Sequence, residues 1–169
     1  MGSIRLTPDI TEIDHLPVEF RTRAGDIILV CALIQQQLAD LFAHIVGLNP
    51  AIFTYLGHDL DTSKMITAIK RLVKSDDCPN HVNGQLPAIL NKCSKALQER
   101  NNVAHGPMAY DSGMLMRFEI RGGDKPHRLA QALSMTYFDQ TLGDAKAALW
   151  ELRLQVIELN KRKAQQQTE

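Results

Sequence analysis

Cysteine is scarce in this sequence, and neither sign of charge is in excess. The three cysteines, Cys31, Cys78 and Cys93, have no paired spacing, which argues against a disulfide framework and favours a reducing compartment. The 19 basic and 19 acidic side chains cancel, so net charge provides no global attraction to nucleic acid or anionic lipid. The first residues lack an apolar run of signal-peptide type, and no apolar window reaches the length that spans a bilayer. We therefore expect a cytoplasmic protein.

The length of 169 residues fits one domain that can bury a core without a disulfide or metal. Residues 1–24 carry two prolines, mixed charges and little periodicity, which is typical of an irregular N-terminal arm. Residues 25–163 hold the periodic segments and form the predicted helical domain. Residues 164–169 are a polar tail.

Four segments have the apolar spacing of amphipathic helices. The first is predicted from about Gly25 to Val46, with Gly47 and Pro50 ending it. The second begins near Asp61 or Thr62, and the third spans about Leu86 to His105. The last follows an apparent capping box at Thr136–Asp139 and repeats apolar residues at steps of four and three, as the first helix does. We expect these two long helices to pack together.

Residues 115–120 alternate in the manner of a strand, and the Gly122-Gly123-Asp124 turn allows 128–133 to return as a second strand. The predicted fold class is therefore mainly α: a bundle of about four helices with a small β-hairpin before the long last helix.

The end of the third helix carries the residues with the most chemical potential. Arg100 falls inside the apolar stripe formed by Leu86, Leu90, Cys93, Leu97 and Ala104. A guanidinium stays charged, so Arg100 needs a carboxylate or an anion from a pocket or partner. Asn101 and His105 are four residues apart and share a helix face beside the stripe. A fixed cation, an amide and a histidine suit metal-independent phosphate chemistry.

These residues resemble a known motif. Arg100-Asn101-x-x-x-His105, in the longer string Arg-Asn-x-x-Ala-His-Gly, is similar to the Arg-polar-x-x-x-His motif of HEPN domains. The layout of residues 25–160 is also similar, with the motif at the end of the third helix and a hairpin before the last. The toxins of one HEPN subgroup have Tyr two residues after the His, where this chain has Pro107.

The resemblance implies RNA binding and, in many members, metal-independent endoribonuclease activity at a composite site of a homodimer. His105 would then transfer protons, Arg100 would bind phosphate and Asn101 would orient the reacting groups, with no cofactor and no metal. Other members are non-catalytic binding modules, so whether the chain is an enzyme stays open. We expect a homodimer with RNA or a protein as partner and no membrane association. Toxin–antitoxin, phage-defence and housekeeping roles all fit.

Each of these residues also has a structural alternative. Arg100 could pair with Asp26, Asp40 or Glu151 inside the bundle, and His105 could cap its helix. Trp150 lies off the main stripe of the last helix, where it could cover a second interface or pack against the hairpin. Cys78-Pro79-Asn80-His81 resembles half of a zinc site without a second half. Six basic residues could form a phosphate-facing patch or a solvated charged face: Lys92, Lys95, Arg117, Arg121, Lys125 and Arg128.

Overall fold

The computed structural model describes residues 16–49, 61–75, 84–105, 108–111, 114–121 and 127–166. Within them the chain forms four helices and one antiparallel sheet. The helices and strands, in chain order, are α1 (Val18–Ile45), α2 (Thr62–Leu72), α3 (Leu86–His105), β1 (Met108–Asp111), β2 (Met114–Arg121), β3 (His127–Leu133) and α4 (Met135–Gln166). The expectation of a mainly helical bundle with a small hairpin before the last helix is confirmed.

Helix α1 ends where the sequence predicts but begins seven residues earlier. Gly47 has a positive φ of 72°, and the Leu48 N–H donates to the Ala43 carbonyl at 2.8 Å, which completes a glycine-dependent helix stop. The predicted start at Gly25 was wrong, because α1 already runs from Val18. The remaining arm, residues 1–15, lies outside the described residues.

Helix α1 also changes the expectation about membrane segments. It is long and apolar enough to cross a membrane by length and composition, with a hydropathy of 1.5, so the expectation that no window reaches this length was wrong. One such helix is weak evidence for a span, because core helices of soluble proteins and signal sequences meet the same criterion. In this fold 33% of that window is buried: Ile27, Cys31 and Ile34 lie in the core, whereas Ile28, Leu29 and Leu33 are exposed.

Caps fix the starts of two further helices. The Asp61 carboxylate accepts from the Ser63 N–H at 2.8 Å, which confirms the predicted start of α2. For α4 the predicted capping box was wrong, because the Ser134 hydroxyl accepts from the Tyr137 N–H at 3.2 Å. The sheet explains the shift: β3 continues to Leu133, so Ser134 is the first residue free to cap a helix.

The sheet has three strands in the order β1-β2-β3. The predicted hairpin is its β2–β3 half, with Leu115 opposite Leu133 and Arg117 opposite Gln131. Strand β1 was not predicted from the sequence, and it pairs with β2 through Met108 opposite Arg117. Leu115 and Leu133 are buried, so this end of the sheet packs onto the helical core.

The helices pack around one core, and the most extensive helix contact is between α1 and α4, as expected. The rings of Phe20 and Phe138 lie 5.5 Å apart, and Arg23 bonds to Asp139 at 2.7 Å. Since both contacts join the first turns of the two helices, α1 and α4 run parallel. Helix α3 runs antiparallel to α4, because Tyr137 near the start of α4 bonds to Glu99 near the end of α3. The motif therefore lies beside the start of α4.

Candidate functional site

All three motif residues lie in the last two turns of α3, but they do not share one face. Asn101 and His105 are exposed, and at about 100° per residue they are only about 40° apart around the helix. Arg100 is half-buried and lies roughly 140° from His105. The structure thus brings Asn101 and His105 together on a solvent face and directs Arg100 toward the core.

Arg100 lies where the apolar stripe of α3 meets α1. The buried Cys31 of α1 donates to the Ala96 carbonyl of α3 at 3.5 Å. Burial raises the pKa of the Cys31 thiol, and the positive charge of Arg100 opposes that rise, so the guanidinium is near α1. Val103 continues the buried stripe, whereas Ala104, which the sequence placed in it, is exposed; that detail was wrong.

The three carboxylates considered as partners of Arg100 are engaged elsewhere. Asp26 lies 3.8 Å from Arg23, and Glu151 bonds to Lys92 at 2.5 Å. Asp40 accepts from the side chains of neighbouring glutamines at 3.3 Å. Within the described part of the chain, no ion pair involves Arg100. Its guanidinium is therefore a half-buried cation that no described carboxylate neutralises.

A hydrogen-bonded cluster beside the motif was missed by the sequence reasoning. The Tyr137 hydroxyl donates to the Glu99 carboxylate at 2.6 Å, and the Asn102 amide donates to the same carboxylate oxygen at 3.2 Å. Burial raises the pKa of Tyr137 to about 12, and the hydrogen bond and charge of Glu99 add to this effect. The cluster ties the end of α3 to the start of α4, which fixes the orientation of the motif helix.

The positive charge of Arg117 on β2 partly opposes the rise in the pKa of Tyr137, which shows that Arg117 lies close to this cluster. Its Nη2 donates to the Gln131 side chain at 2.8 Å. Its Nη1 is buried and has no hydrogen-bond partner among the described residues. Arg117 is therefore a second incompletely satisfied guanidinium at the motif end of the bundle.

The rest of the predicted basic patch does not form a free cationic surface in the described residues. Lys92 pairs with Glu151 at 2.5 Å, and Lys95 pairs with Asp144 at 3.5 Å. The side chains of Arg121 and Arg128, and all of Lys125, lie outside the described residues. For the two lysines the alternative of a solvated charged face is the better description.

A groove of about 420 Å³ lies between α3 and α4. Lys92, Lys95, Glu99, Tyr137 and Asp144 supply its charged and phenolic groups, and neither Arg100 nor His105 lines it. Because its lysines and carboxylates largely neutralise one another, the groove has no strong preference for an anionic ligand.

Among the described residues, no three His, Cys, Asp or Glu side chains are close enough to hold a metal ion. Cys78 and His81, considered as half of a zinc site, lie outside the described residues.

Tyr137→Phe should destabilise the protein by about 1–2 kcal/mol at pH 8, because it removes a hydrogen bond to a charged group. The pKa of Tyr137 is about 12 in the folded state, against about 10 for an ordinary tyrosine. The stabilisation is therefore complete below pH 10 and is lost as pH rises through 10 toward 12. Urea unfolding of both proteins at a series of pH values measures this difference. A difference that stays constant up to pH 12 would contradict the raised pKa of Tyr137.

The candidate site is thus an exposed Asn101–His105 face, a half-buried Arg100, and a Glu99–Tyr137 cluster that holds their helix in place. Comparison of the chain with protein-family models, with curated proteins and with solved structures found no match.

Proposed function

We propose that this chain is an RNA-binding HEPN-like protein that cuts RNA without a metal ion, using Arg100, Asn101 and His105 from two copies. The observation that supports it best is the state of Arg100, a half-buried guanidinium without a described carboxylate partner, one residue from an exposed Asn–His face. Burying a charge is costly unless an anion compensates it. An RNA phosphate would supply that anion.

The chemistry needs only the groups that this segment carries. His105 accepts the proton of a ribose 2′-OH, whose oxygen attacks the adjacent phosphorus. The bond from phosphorus to the 5′-oxygen breaks, and that oxygen takes a proton from imidazolium. Arg100 stabilises the charge that develops on the phosphoryl oxygens, and Asn101 orients the phosphate. The products are a 2′,3′-cyclic phosphate and a 5′-hydroxyl.

A second copy is part of this proposal because the motif side chains of one chain do not point toward a common site. Arg100 and His105 are roughly 140° apart on α3, so their side chains leave the helix on different sides. A phosphate that contacts Arg100 of one copy is better placed for the His105 of another. This arrangement also agrees with the composite site that the HEPN resemblance implies.

The experiment that tests the proposal is cleavage of a varied RNA panel by purified protein in EDTA. We expect cleavage that leaves 2′,3′-cyclic phosphate ends. The matched control is the same RNA with a 2′-deoxy residue at the cut position, which should resist the protein because the attacking hydroxyl is missing. Cleavage of the deoxy substrate, or cleavage that needs added metal, would contradict the mechanism.

A second candidate function is a non-catalytic module that binds a protein partner, such as a regulator or assembly protein. The large exposed apolar side chains of α4 favour it, because Trp150 is 63% exposed. If Trp150→Ala abolishes a partner interaction while His105→Ala changes nothing functional, this second candidate is correct.

A further inference from the structure

Helix α4 has two apolar faces. Its inner face is buried in the core through residues such as Phe138, Leu142, Ala145 and Leu152. On the opposite side, exposed residues recur at steps of four and three: Gly143, Ala147, Trp150, Leu154, Ile157 and Lys161, here called the outer stripe. Trp150, Leu154 and Ile157 are 63%, 43% and 48% exposed. Steps of four and three are the spacing of a coiled-coil seam.

Charged residues flank the outer stripe in a regular pattern. Asp139, Lys146 and Arg153 are seven residues apart and share the side toward α1, where Asp139 meets Arg23. Asp144, Glu151 and Glu158 are also seven apart and share the side toward α3, where Asp144 meets Lys95 and Glu151 meets Lys92. Lys146, Arg153 and Glu158 take part in no ion pair within the described part of the chain.

We propose that α4 packs against α4 of a second copy, in parallel and in register, along the outer stripe. A two-fold axis parallel to the helices brings the α1 side of one stripe against the α3 side of the other. Each residue on the α1 side of one helix then lies opposite the residue five positions later on the α3 side of the partner helix. Arg153 faces the partner's Glu158, and neither has an ion-pair partner within the described part of its own chain. Lys146 faces the partner's Glu151, which Lys92 already binds, so the Arg153–Glu158 pair carries the charge argument.

The charges select this orientation over the antiparallel one. Antiparallel helices bring like sides together, which would place Arg153 near the partner's Arg153 and Glu151 near the partner's Glu151. In the parallel arrangement one like-charged pair remains, Asp139 with the partner's Asp144. That pair is compensated within each chain, because Arg23 and Lys95 already bind these carboxylates.

Gly143 fits the same interface. A glycine inside a helix costs about 0.5–1 kcal/mol relative to alanine. A Cβ at Gly143 would meet nothing within 4 Å in this chain, so no described contact inside the bundle requires glycine. At the outer stripe, the missing side chain permits close approach of a second helix.

The dimer has a consequence for the motif. The end of α3 lies beside the start of α4, because Glu99 bonds to Tyr137. Parallel pairing therefore puts both motif-bearing ends at the same end of the dimer, on opposite sides of the α4 pair. A single phosphate does not bridge Arg100 of one copy and His105 of the other across this seam, so the composite site of the ribonuclease proposal requires a separate contact between copies. The interface consists of α4 residues alone, so its formation does not depend on ribonuclease activity.

Charge exchange tests the orientation of the interface. Arg153→Glu and Glu158→Arg should each weaken the dimer about tenfold in sedimentation equilibrium, because two symmetric attractions become repulsions. The double variant restores opposite charges and should return to within about threefold of the wild type. An antiparallel dimer would not weaken with Arg153→Glu, and a wild type that stays monomeric at all concentrations overturns the proposal.

Cysteine cross-linking tests the register. In a Cys78→Ser background, Leu154→Cys should form a disulfide-linked dimer on oxidation. The reason is that residue 154 of one copy lies opposite residue 154 of the other, close enough for a disulfide. Ser94→Cys, exposed on α3 and away from the outer stripe, is the matched control and should stay monomeric under denaturing conditions. Failure of Leu154→Cys to cross-link, or equal cross-linking of both variants, overturns the proposal. RNA cleavage is measured in a separate experiment, so neither cross-linking result decides the ribonuclease proposal.

Discussion

His105→Ala should lower the rate of RNA cleavage by about 10²–10⁴-fold, the range for loss of a positioned proton-transfer group. Imidazole both accepts the 2′-OH proton and returns a proton to the leaving oxygen, so its loss affects bond formation and bond breaking. The measurement is single-turnover cleavage in EDTA at saturating protein. Because the imidazole is exposed, the free energy of unfolding should change by no more than about 0.5 kcal/mol.

The chain offers a matched control for this substitution. His44 lies in the last turn of α1, as His105 does in the last turn of α3. His44→Ala should leave cleavage unchanged, although its side chain is half-buried and some stability can be lost. Equal cleavage by the wild type and His105→Ala, both free of contaminating nuclease, would remove His105 from the catalytic assignment. Loss of cleavage in both variants would point to a general effect on folding.

The helices whose ends carry local signals could be predicted closely from the sequence. Asp61 caps α2, Gly47 ends α1, and α3 has the predicted bounds Leu86–His105. The early start of α1 has no such signal. Its first turns are held by contacts with α4, through Phe20 with Phe138 and Arg23 with Asp139, and tertiary contacts of this kind leave no periodic trace in residues 18–24.

Strand β1 and the capping of α4 were missed for a related reason. β1 has four residues and gains its structure from pairing with β2, so its own sequence is too short to show alternation. The choice of Ser134 over Thr136 as the cap depends on where β3 stops. Pairing partners decide both features, and a single segment does not reveal its partner.

The candidate site also combines features that the local sequence predicted with features that depend on the fold. The helical period predicted that Arg100 faces the core side of α3 and that Asn101 and His105 share a face, and these positions agree with the exposures found. The Glu99–Tyr137 hydrogen bond joins residues 38 positions apart, so nothing in the local spacing indicates it. That no described carboxylate pairs with Arg100 could also be learned only from the structure, because the fold shows that Glu151 pairs with Lys92.

Arg100→Leu should separate function from stability more sharply than any other substitution in the motif. If the guanidinium serves an RNA phosphate, its loss should reduce cleavage by about 10²–10³-fold, as for other groups that stabilise developing charge. The folded chain should keep its stability or gain about 1 kcal/mol, because leucine fills a half-buried position next to Leu97 and Val103 without a charge to desolvate. Urea unfolding and single-turnover cleavage of the same preparation give both quantities.

Arg100→Lys is the matched control, because lysine keeps the charge and loses the planar fork that binds phosphate oxygens in pairs. We expect cleavage between that of the wild type and Arg100→Leu, with weaker RNA binding. A loss of about 3 kcal/mol or more in Arg100→Leu would contradict the assignment, since breaking a buried ion pair has that cost. A half-buried cation whose removal leaves the fold intact but abolishes cleavage is compensated by its substrate, which is the physical content of the ribonuclease proposal.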